Sequence, residues 1–234
     1  MGPTLSHETP SPRPLEGTLK KRSKETIFIF DWDDTLICTS FITLKTQSLS
    51  EEEKNTILNL GNLVSAFLSH CQEYGKIIIL TNSSESWVKN TSVNILGISD
   101  LIDKNINIFS TRDKYSKKGI EQRKWKEMAL DEIFNKYGDK LDNLICASDS
   151  EKDINIFKKF MQKNKGINIS TIKFKRKPSP LIMVKEIKYL LECINSIIGT
   201  KKNYYLMKEE KERRTDDFNF HIGNFFDYIF LNQN

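Results

Sequence analysis

Short, nearly continuous apolar runs alternate along this chain with longer segments whose apolar residues recur at helical spacing. The short runs predict buried strands, and the periodic segments predict amphipathic helices. The predicted strands span residues 27–30, 76–81, 106–110, 143–148 and 168–174. The predicted helices span residues 51–74, 84–96, 120–137, 151–163 and 180–198. A Ser50/Glu53 capping box marks the start of the first helix and Gly75 its end, whereas we expect the polar segment 38–50 to be irregular.

This alternation predicts an α/β fold. Strands that are apolar on both faces need helices on both sides, which gives a three-layer, open parallel sheet of the Rossmann-like kind with right-handed crossovers. Ligands bind such sheets outside the carboxyl ends of the strands. Polar residues follow three of the predicted strands, namely Asp31, Asp33, Thr81, Asn82 and Asp149. We therefore expect these five residues to meet at one edge of the sheet.

The acidic cluster after the first strand is the most informative stretch. The sequence IFIFDWDDTL spans residues 27–36 and brings Asp31, Asp33 and Asp34 to the end of an apolar run. Buried carboxylates persist when they are paired, hydrogen-bonded or bound to a metal, so this cluster points to a cation. The alternative is an Asp-rich turn that only ends a strand. The convergence of polar residues from three strand ends favours the functional interpretation.

Composition narrows the class of protein. The 234 residues suit one domain with a sizeable core, and the formal net charge of +5 is compatible with phosphate-bearing partners without being the footprint of a nucleic-acid-binding protein. No apolar run approaches the length of a membrane span. Widely spaced cysteines predict reduced thiols in a cytoplasmic or nuclear protein without a zinc site. They are Cys38, Cys71, Cys146 and Cys193.

Four motifs, in order, resemble the signature motifs of the haloacid dehalogenase superfamily. They are DWDDT at residues 31–35, LTN at 80–82, a lysine at a downstream helix start, and SDSEKD at 148–153. The resemblance spans residues 26–198. It implies a phosphatase that needs Mg²⁺ and works through an aspartyl-phosphate intermediate.

The resemblance also implies roles for single residues. Asp31 matches the nucleophile, which is also a metal ligand. Asp33 matches the general acid and base, whose backbone carbonyl meets the metal as well. Lys126, in the pattern Trp125-Lys126-x-x-Ala129-Leu130, is our first choice for the third-motif lysine, and Lys118 is the second.

The second and fourth motifs supply the phosphate and metal ligands. Thr81 and Asn82 match the residues that hold the phosphoryl oxygens. Asp149 and Asp153 match the acidic pair that binds the metal, with Asp149 the closer ligand. Two positions depart from the common pattern, since Asp34 and Ser148 stand where many members have glycine.

Spacing and the resemblance together predict the substrate class. About 45 residues separate the first motif from the second, and about as many separate the second from Lys126, so no large cap domain fits. Uncapped members often dephosphorylate proteins, so we expect a phosphoprotein substrate. The alternatives are a phosphatase of small metabolites or of polynucleotide ends, and an inactive scaffolding or interaction protein of the same fold.

The domain prediction has three parts. Residues 1–24, rich in proline and charge, predict a disordered leader, and residues 25–199 predict the catalytic domain. Residues 200–234 form a tail whose aromatic residues pack back on the domain or bind a partner protein. The basic run KFKRK at 173–177 either binds a phosphate-rich partner, nucleic acid included, or is a solvated loop. We expect no membrane partner.

Overall fold

The computed structural model describes residues 25–45, 49–98, 102 and 106–206. The predicted leader, and all of the predicted tail beyond residue 206, lie outside these residues. One parallel sheet organises the described chain, in the strand order β3-β2-β1-β4-β5-β6. Its strands are β1 (Glu25–Phe30), β2 (Lys76–Thr81), β3 (Asn107–Ser110), β4 (Leu141–Ser148), β5 (Asn168–Lys173) and β6 (Asn203–Tyr205).

Helices cover both faces of the sheet. They are α1 (Thr39–Lys45), α2 (Glu51–Tyr74), α3 (Glu85–Thr91), α4 (Thr111–Tyr115), α5 (Trp125–Tyr137), α6 (Glu151–Lys163) and α7 (Pro180–Ile197). Successive residues of β1 point to opposite faces, so Phe28 packs into one core cluster with α2 and α7, and Ile29 packs into the other with α5 and α6. The predicted three-layer α/β fold without a large cap is confirmed for the described residues.

Helix α2 confirms the predicted start and end signals. The Ser50 hydroxyl accepts the Glu53 backbone N–H while the Glu53 carboxylate accepts that of Ser50, which completes the capping box. Gly75 follows the helix in extended backbone. A Cβ there would lie 2.1 Å from the Thr26 carbonyl oxygen, so glycine is required by the close approach to β1.

The prediction of an irregular segment at 38–50 was wrong for its first half, because Thr39–Lys45 forms α1. The carboxylate of Asp34 accepts the Ser40 backbone N–H at 2.8 Å, and Phe41 and Ile42 pack against the core. The Ser40 N–H in the first turn of α1 is therefore held by Asp34, several positions before the helix. Rules for helix starts that read only the adjacent residues do not detect such a contact.

Three further boundaries differ from the prediction. The helix predicted from residue 120 starts at Trp125, after a 3₁₀ turn at Gln122–Lys124. The helix predicted to reach residue 96 changes to a π-helical turn at Ser92–Leu96. The sheet also continues past the predicted domain boundary at residue 199, because β6 pairs with β5.

None of the described helices combines the length and apolarity that crossing a membrane requires.

Candidate active site

A buried ionic cluster lies at the carboxyl ends of the central strands β1 and β4. Asp31 follows β1, and its Oδ2 lies 2.8 Å from Lys126 Nζ. The same ammonium lies 2.5 Å from Asp153 Oδ2, at the first turn of α6. Ser148, the last residue of β4, is fully buried and places its Oγ 3.3 Å from Asp31 Oδ2 and 3.0 Å from Asp153 Oδ2. One ammonium and one hydroxyl thus join the two carboxylates.

The structure brings Lys126, rather than Lys118, to Asp31. Lys126 lies in the first turn of α5 and its side chain is only 3% exposed. Lys118 is exposed and its ammonium lies 5.8 Å from the centre of the Tyr115 ring. Of these two candidate lysines, Lys126 is the one in contact with Asp31, and its assignment to the third motif stays a prediction.

Burial and the neighbouring charges together set the pKa values in this cluster. Burial raises the pKa of Asp31 to about 6, although the Lys126 ammonium acts in the opposite direction. Burial alone would lower the pKa of Lys126, but the carboxylates of Asp31 and Asp153 outweigh it and raise that pKa above its usual value. Lys126 therefore stays charged, and it supplies a fixed positive charge beside Asp31.

Asp149 stands on the loop between β4 and α6, beside this cluster. Its backbone N–H donates to Thr35 Oγ1 at 2.9 Å, which ties the loop after β4 to the loop after β1. Burial, followed by the charges of Asp31 and Asp34, raises the pKa of Asp149 to about 7. Among the residues that the structure describes, no donor reaches its carboxylate.

The carboxylates of this site fit Mg²⁺ better than a metal ion whose ligands are all protein side chains. In the described part of the chain, no three histidine, cysteine, aspartate or glutamate side chains are arranged to hold a metal ion. Mg²⁺ commonly binds through one or two carboxylates and several waters, which Asp31 and Asp149 can provide. A cation there would also relieve the repulsion from Asp31 and Asp34, which adds to the effect of burial in raising the pKa of Asp149. Asp153 Oδ2 is instead engaged by Lys126 and Ser148, so its metal role stays a prediction.

Asp33 has a different environment from Asp31. Its Oδ1 accepts from Thr39 Oγ1 at 2.7 Å and from Trp87 Nε1 at 2.9 Å, and its Oδ2 accepts from Ser83 Oγ at 2.6 Å. The three donors come from α1, from α3 and from the loop after β2. The carboxylate is therefore held in one orientation by three separate segments.

The two predicted phosphate ligands lie at the end of β2, because Thr81 is the last residue of the strand and Asn82 begins the loop after it. Thr81 is buried, and its Oγ1 accepts the Ser83 backbone N–H at 3.0 Å. Asn82 Oδ1 accepts from Thr111 Oγ1 at 2.6 Å, while Arg112 Nε donates to the Asn82 carbonyl at 3.1 Å. Helix α4 thus braces both the end of β2 and the start of the loop after it.

Asp34 shows why many members of the superfamily have glycine at this position. Its φ is 55°, in the left-handed region that favours glycine. Its carboxylate compensates by accepting from the Ser40 N–H at 2.8 Å and from the Ser40 hydroxyl at 2.5 Å. Aspartate, which tolerates this region better than most residues, is accommodated by those bonds.

Sequence reasoning missed several residues that contact the predicted site residues, among them Thr35, Thr39, Ser83 and Trp87. Thr35 lies within the first motif and Ser83 directly follows the second, so a search of the positions beside the motifs could have found both. Trp87 carries no signal in the sequence, since it occupies an ordinary helical position. Its contact with Asp33 depends on how α3 packs.

Comparison with known proteins gives one match. The sequence model of the NLI interacting factor-like phosphatase family matches residues 26–171, which is more than half of the chain and includes every predicted site residue. No curated protein and no solved structure matches the chain. The matched region begins in β1 and ends in β5, so it contains the central strands that carry the ionic cluster. The chain therefore belongs to the NLI interacting factor-like phosphatase family and is a phosphoric monoester hydrolase with the fold of the haloacid dehalogenase superfamily.

Proposed function

We propose that this phosphatase is Mg²⁺-dependent, that Asp31 is its nucleophile, and that its substrate is a phosphoprotein. The observation that carries the proposal is the contact of Lys126 with Asp31 at 2.8 Å, beside the carboxylate of Asp149, which accepts no hydrogen bond from the residues that the structure describes. A carboxylate nucleophile needs nearby positive charge to approach an anionic phosphate. Lys126 supplies one such charge, and a cation held by Asp149 would supply the other.

The reaction divides into two displacements. In the first, an Asp31 oxygen attacks phosphorus and the substrate oxygen leaves with a proton from Asp33. In the second, Asp33 takes a proton from water, which attacks the aspartyl-phosphate and releases inorganic phosphate. Splitting one difficult displacement into two lowers each barrier, and general acid–base catalysis of this kind contributes roughly 10²- to 10⁴-fold in rate.

The remaining residues bind and orient. Thr81 and Asn82 would hold the phosphoryl oxygens. The carboxylates of Asp31 and Asp149, with the backbone carbonyl of Asp33, would hold Mg²⁺, which when bound neutralises charge on the phosphoryl group. Asp153 would keep Lys126 in position and charged. A site without a large cap can accept a phosphorylated segment of a macromolecule, which favours a phosphoprotein over a small metabolite.

Asp31→Asn tests the nucleophile. The amide is nearly isosteric but cannot attack phosphorus, so turnover of an aryl phosphate should be lost while thermal unfolding stays cooperative. Beryllofluoride, which mimics the aspartyl-phosphate, should stabilise the wild type in Mg²⁺ and not the variant. Asp139→Asn, at an exposed aspartate, is the matched control and should behave as wild type. Normal turnover by Asp31→Asn would refute the assignment.

Metal dependence is tested separately. A chelator should abolish turnover and added Mg²⁺ should restore it. Asp149→Ala should raise the Mg²⁺ concentration needed for half-maximal activity, because a small cation bound through few carboxylates cannot lose one without loss of affinity. An unchanged Mg²⁺ dependence would place the metal elsewhere.

A further inference from the structure

The three donors on Asp33 differ in what they can do. The hydroxyls of Thr39 and Ser83 can donate or accept a hydrogen bond, whereas the indole N–H of Trp87 can only donate. The oxygen that faces Trp87, Oδ1 at 2.9 Å, must therefore offer a lone pair. A proton on Oδ1 would compete with the two hydrogen bonds that this oxygen accepts from Trp87 and Thr39, whereas a proton on Oδ2 leaves both in place. The proton of the carboxyl group therefore belongs on Oδ2.

The neighbour of Oδ2 suits this arrangement. Ser83 Oγ lies 2.6 Å from Oδ2, and it can accept when Oδ2 is protonated and donate when it is not. Trp87 cannot follow such a change, so it distinguishes the two oxygens of an otherwise symmetric carboxyl group. Thr39 Oγ1, at 2.7 Å from Oδ1, supports the same oxygen from the other side.

The position of Trp87 is fixed by its own helix. Helix α3 is capped by the Ser84 hydroxyl, which accepts the Trp87 backbone N–H, and the buried Val88 anchors it to the core. The ring nevertheless remains 38% exposed. A partly exposed indole whose N–H points at a carboxylate is arranged for orientation more than for packing.

We propose that Trp87 is a positioning residue for the acid–base step, which fixes Oδ1 of Asp33 as an acceptor and leaves Oδ2 to transfer the proton. This inference rests on the proposed function. In the first displacement, the bond from Asp31 to phosphorus forms, the bond from phosphorus to the substrate oxygen breaks, and the Oδ2 proton moves to that oxygen. In the second, water returns a proton to Oδ2 as its oxygen displaces Asp31 from phosphorus.

Leaving-group chemistry provides the test. A basic leaving oxygen needs the proton from Asp33, whereas 4-nitrophenolate leaves readily without one. We would measure kcat/KM of the Mg²⁺-loaded full chain for 4-nitrophenyl, phenyl and alkyl phosphates. Trp87→Phe keeps an aromatic ring and removes the N–H. Its loss of kcat/KM should grow along the series, by at least ~10-fold between the two ends.

A second variant and a control separate the effect of the indole N–H from that of the aromatic ring. Trp87→Ala removes the ring as well, and it should show the same leaving-group dependence as Trp87→Phe if the N–H is what matters. Asn90→Ala, at an exposed position on α3, is the control and should change neither end of the series by more than about two-fold. An equal loss on all substrates, or no loss, would overturn the inference.

Asp33→Asn distinguishes failure of this inference from failure of the proposed function. If Asp33 is the acid, Asp33→Asn should show the strongest leaving-group dependence, and adding Trp87→Phe to it should cause little further loss. If Asp33→Asn lowers kcat/KM by the same factor for every leaving group, the acid role of Asp33 itself is refuted. If the loss of kcat/KM grows with the basicity of the leaving group in Asp33→Asn but is the same for all substrates in Trp87→Phe, only the role of Trp87 is refuted.

Discussion

Lys126 lies between two buried carboxylates, and that arrangement makes it a structural as well as a chemical residue. Removing one partner of a buried ionic cluster leaves the others without compensation. Asp31 and Asp153 would then repel each other in a site that water does not reach easily. The cluster is thus stable only as a whole, and each member depends on the charge of the others.

We expect Lys126→Met to lower the free energy of unfolding by about 3–5 kcal/mol in the absence of divalent cations. Lys118→Met, at the exposed alternative lysine, should change it by less than about 0.5 kcal/mol. Chemical denaturation measures both. Adding Asp153→Asn to Lys126→Met should recover part of the loss, because one of the unpaired carboxylates is removed. A Lys126→Met protein as stable as the wild type would mean that the ammonium does not pair with Asp31 in solution.

Glu186 is a second buried carboxyl group, and it lies outside the proposed machinery. Its side chain, on α7, is 1% exposed, and its Oε1 accepts the Lys175 backbone N–H at 2.8 Å. Its Oε2 is buried without a hydrogen-bond partner among the described residues. Burial raises the pKa of Glu186 to about 7, so the folded protein holds this proton more tightly than the unfolded chain does.

This difference gives a pH dependence of stability. Between pH 4.5 and 7 the folded state binds the Glu186 proton and the unfolded state releases it, so the contribution of Glu186 to stability falls as pH rises and is constant above about 7. Glu186→Gln removes the titration. The stability of the variant relative to wild type should therefore increase from pH 5 to pH 8, by up to about 3 kcal/mol. Urea denaturation across this range is the measurement, and parallel curves for the two proteins would contradict the shift.

At the residue scale, sequence alone pointed to polar residues that the fold brings to the same edge of the sheet. Asp31, Asp149 and Lys126 stand at strand ends or a helix start, where spacing rules apply. Two of the partners of Asp33, Thr39 and Trp87, and the buried Glu186 could not be found in this way. Trp87 and Glu186 reach their neighbours through the packing of helices, and no local pattern encodes that packing.

At the scale of elements, α2 packs so closely on its neighbour that one helical glycine cannot be replaced. A Cβ on Gly61 would lie 2.0 Å from the carbonyl oxygen of Leu96, at the end of the π-helical turn. Alanine is the better helix former by about 1 kcal/mol, but the neighbouring atom is backbone and cannot rotate away. Overpacking of this kind costs typically 1–3 kcal/mol and must also overcome the gain in helix propensity.

We therefore expect Gly61→Ala to destabilise the protein by about 2 kcal/mol, against the direction that helix propensity alone would give. Gly166→Ala is the matched control, because a Cβ there would meet nothing within 4 Å and its φ lies outside the left-handed region. It should leave stability unchanged or slightly increased. Thermal unfolding compares the two, and a stabilised Gly61→Ala protein would show that the α2 contact is looser than described.

The elements were predicted where a local signal exists. Continuous apolar runs gave β1, β2 and β4, and the capping box gave the start of α2. Two elements had no such signal. Helix α1 depends on the carboxylate of Asp34, and the three-residue strand β6 is too short and polar to form without the neighbouring edge of β5.

At the scale of the whole molecule, the site lies at the carboxyl edge of the sheet beside a basic loop. The backbone N–H of Phe174 donates to the Ser148 carbonyl at 3.0 Å, so the loop after β5 starts next to the loop that carries Asp149. Arg176 and Lys177 in this loop are exposed. An active site without a large cap must take specificity from surface outside the catalytic pocket, and this loop provides positive charge there.

If the substrate is a phosphoprotein, a phosphopeptide with acidic residues beside the phosphorylated residue should exceed small phosphomonoesters in kcat/KM by at least ~10-fold, or roughly 1.4 kcal/mol of transition-state binding. Part of that advantage should shrink as salt is raised, because exposed charges are screened.

Replacing Arg176 and Lys177 by glutamine should remove the salt-dependent part and spare small substrates. The control replaces Lys140 and Lys165, which are exposed residues that precede β4 and β5 at the opposite edge of the sheet, and it should retain the advantage. A small metabolite phosphate that proves the best substrate in a broad screen would contradict the prediction, since a metabolite gains nothing from charge outside the pocket.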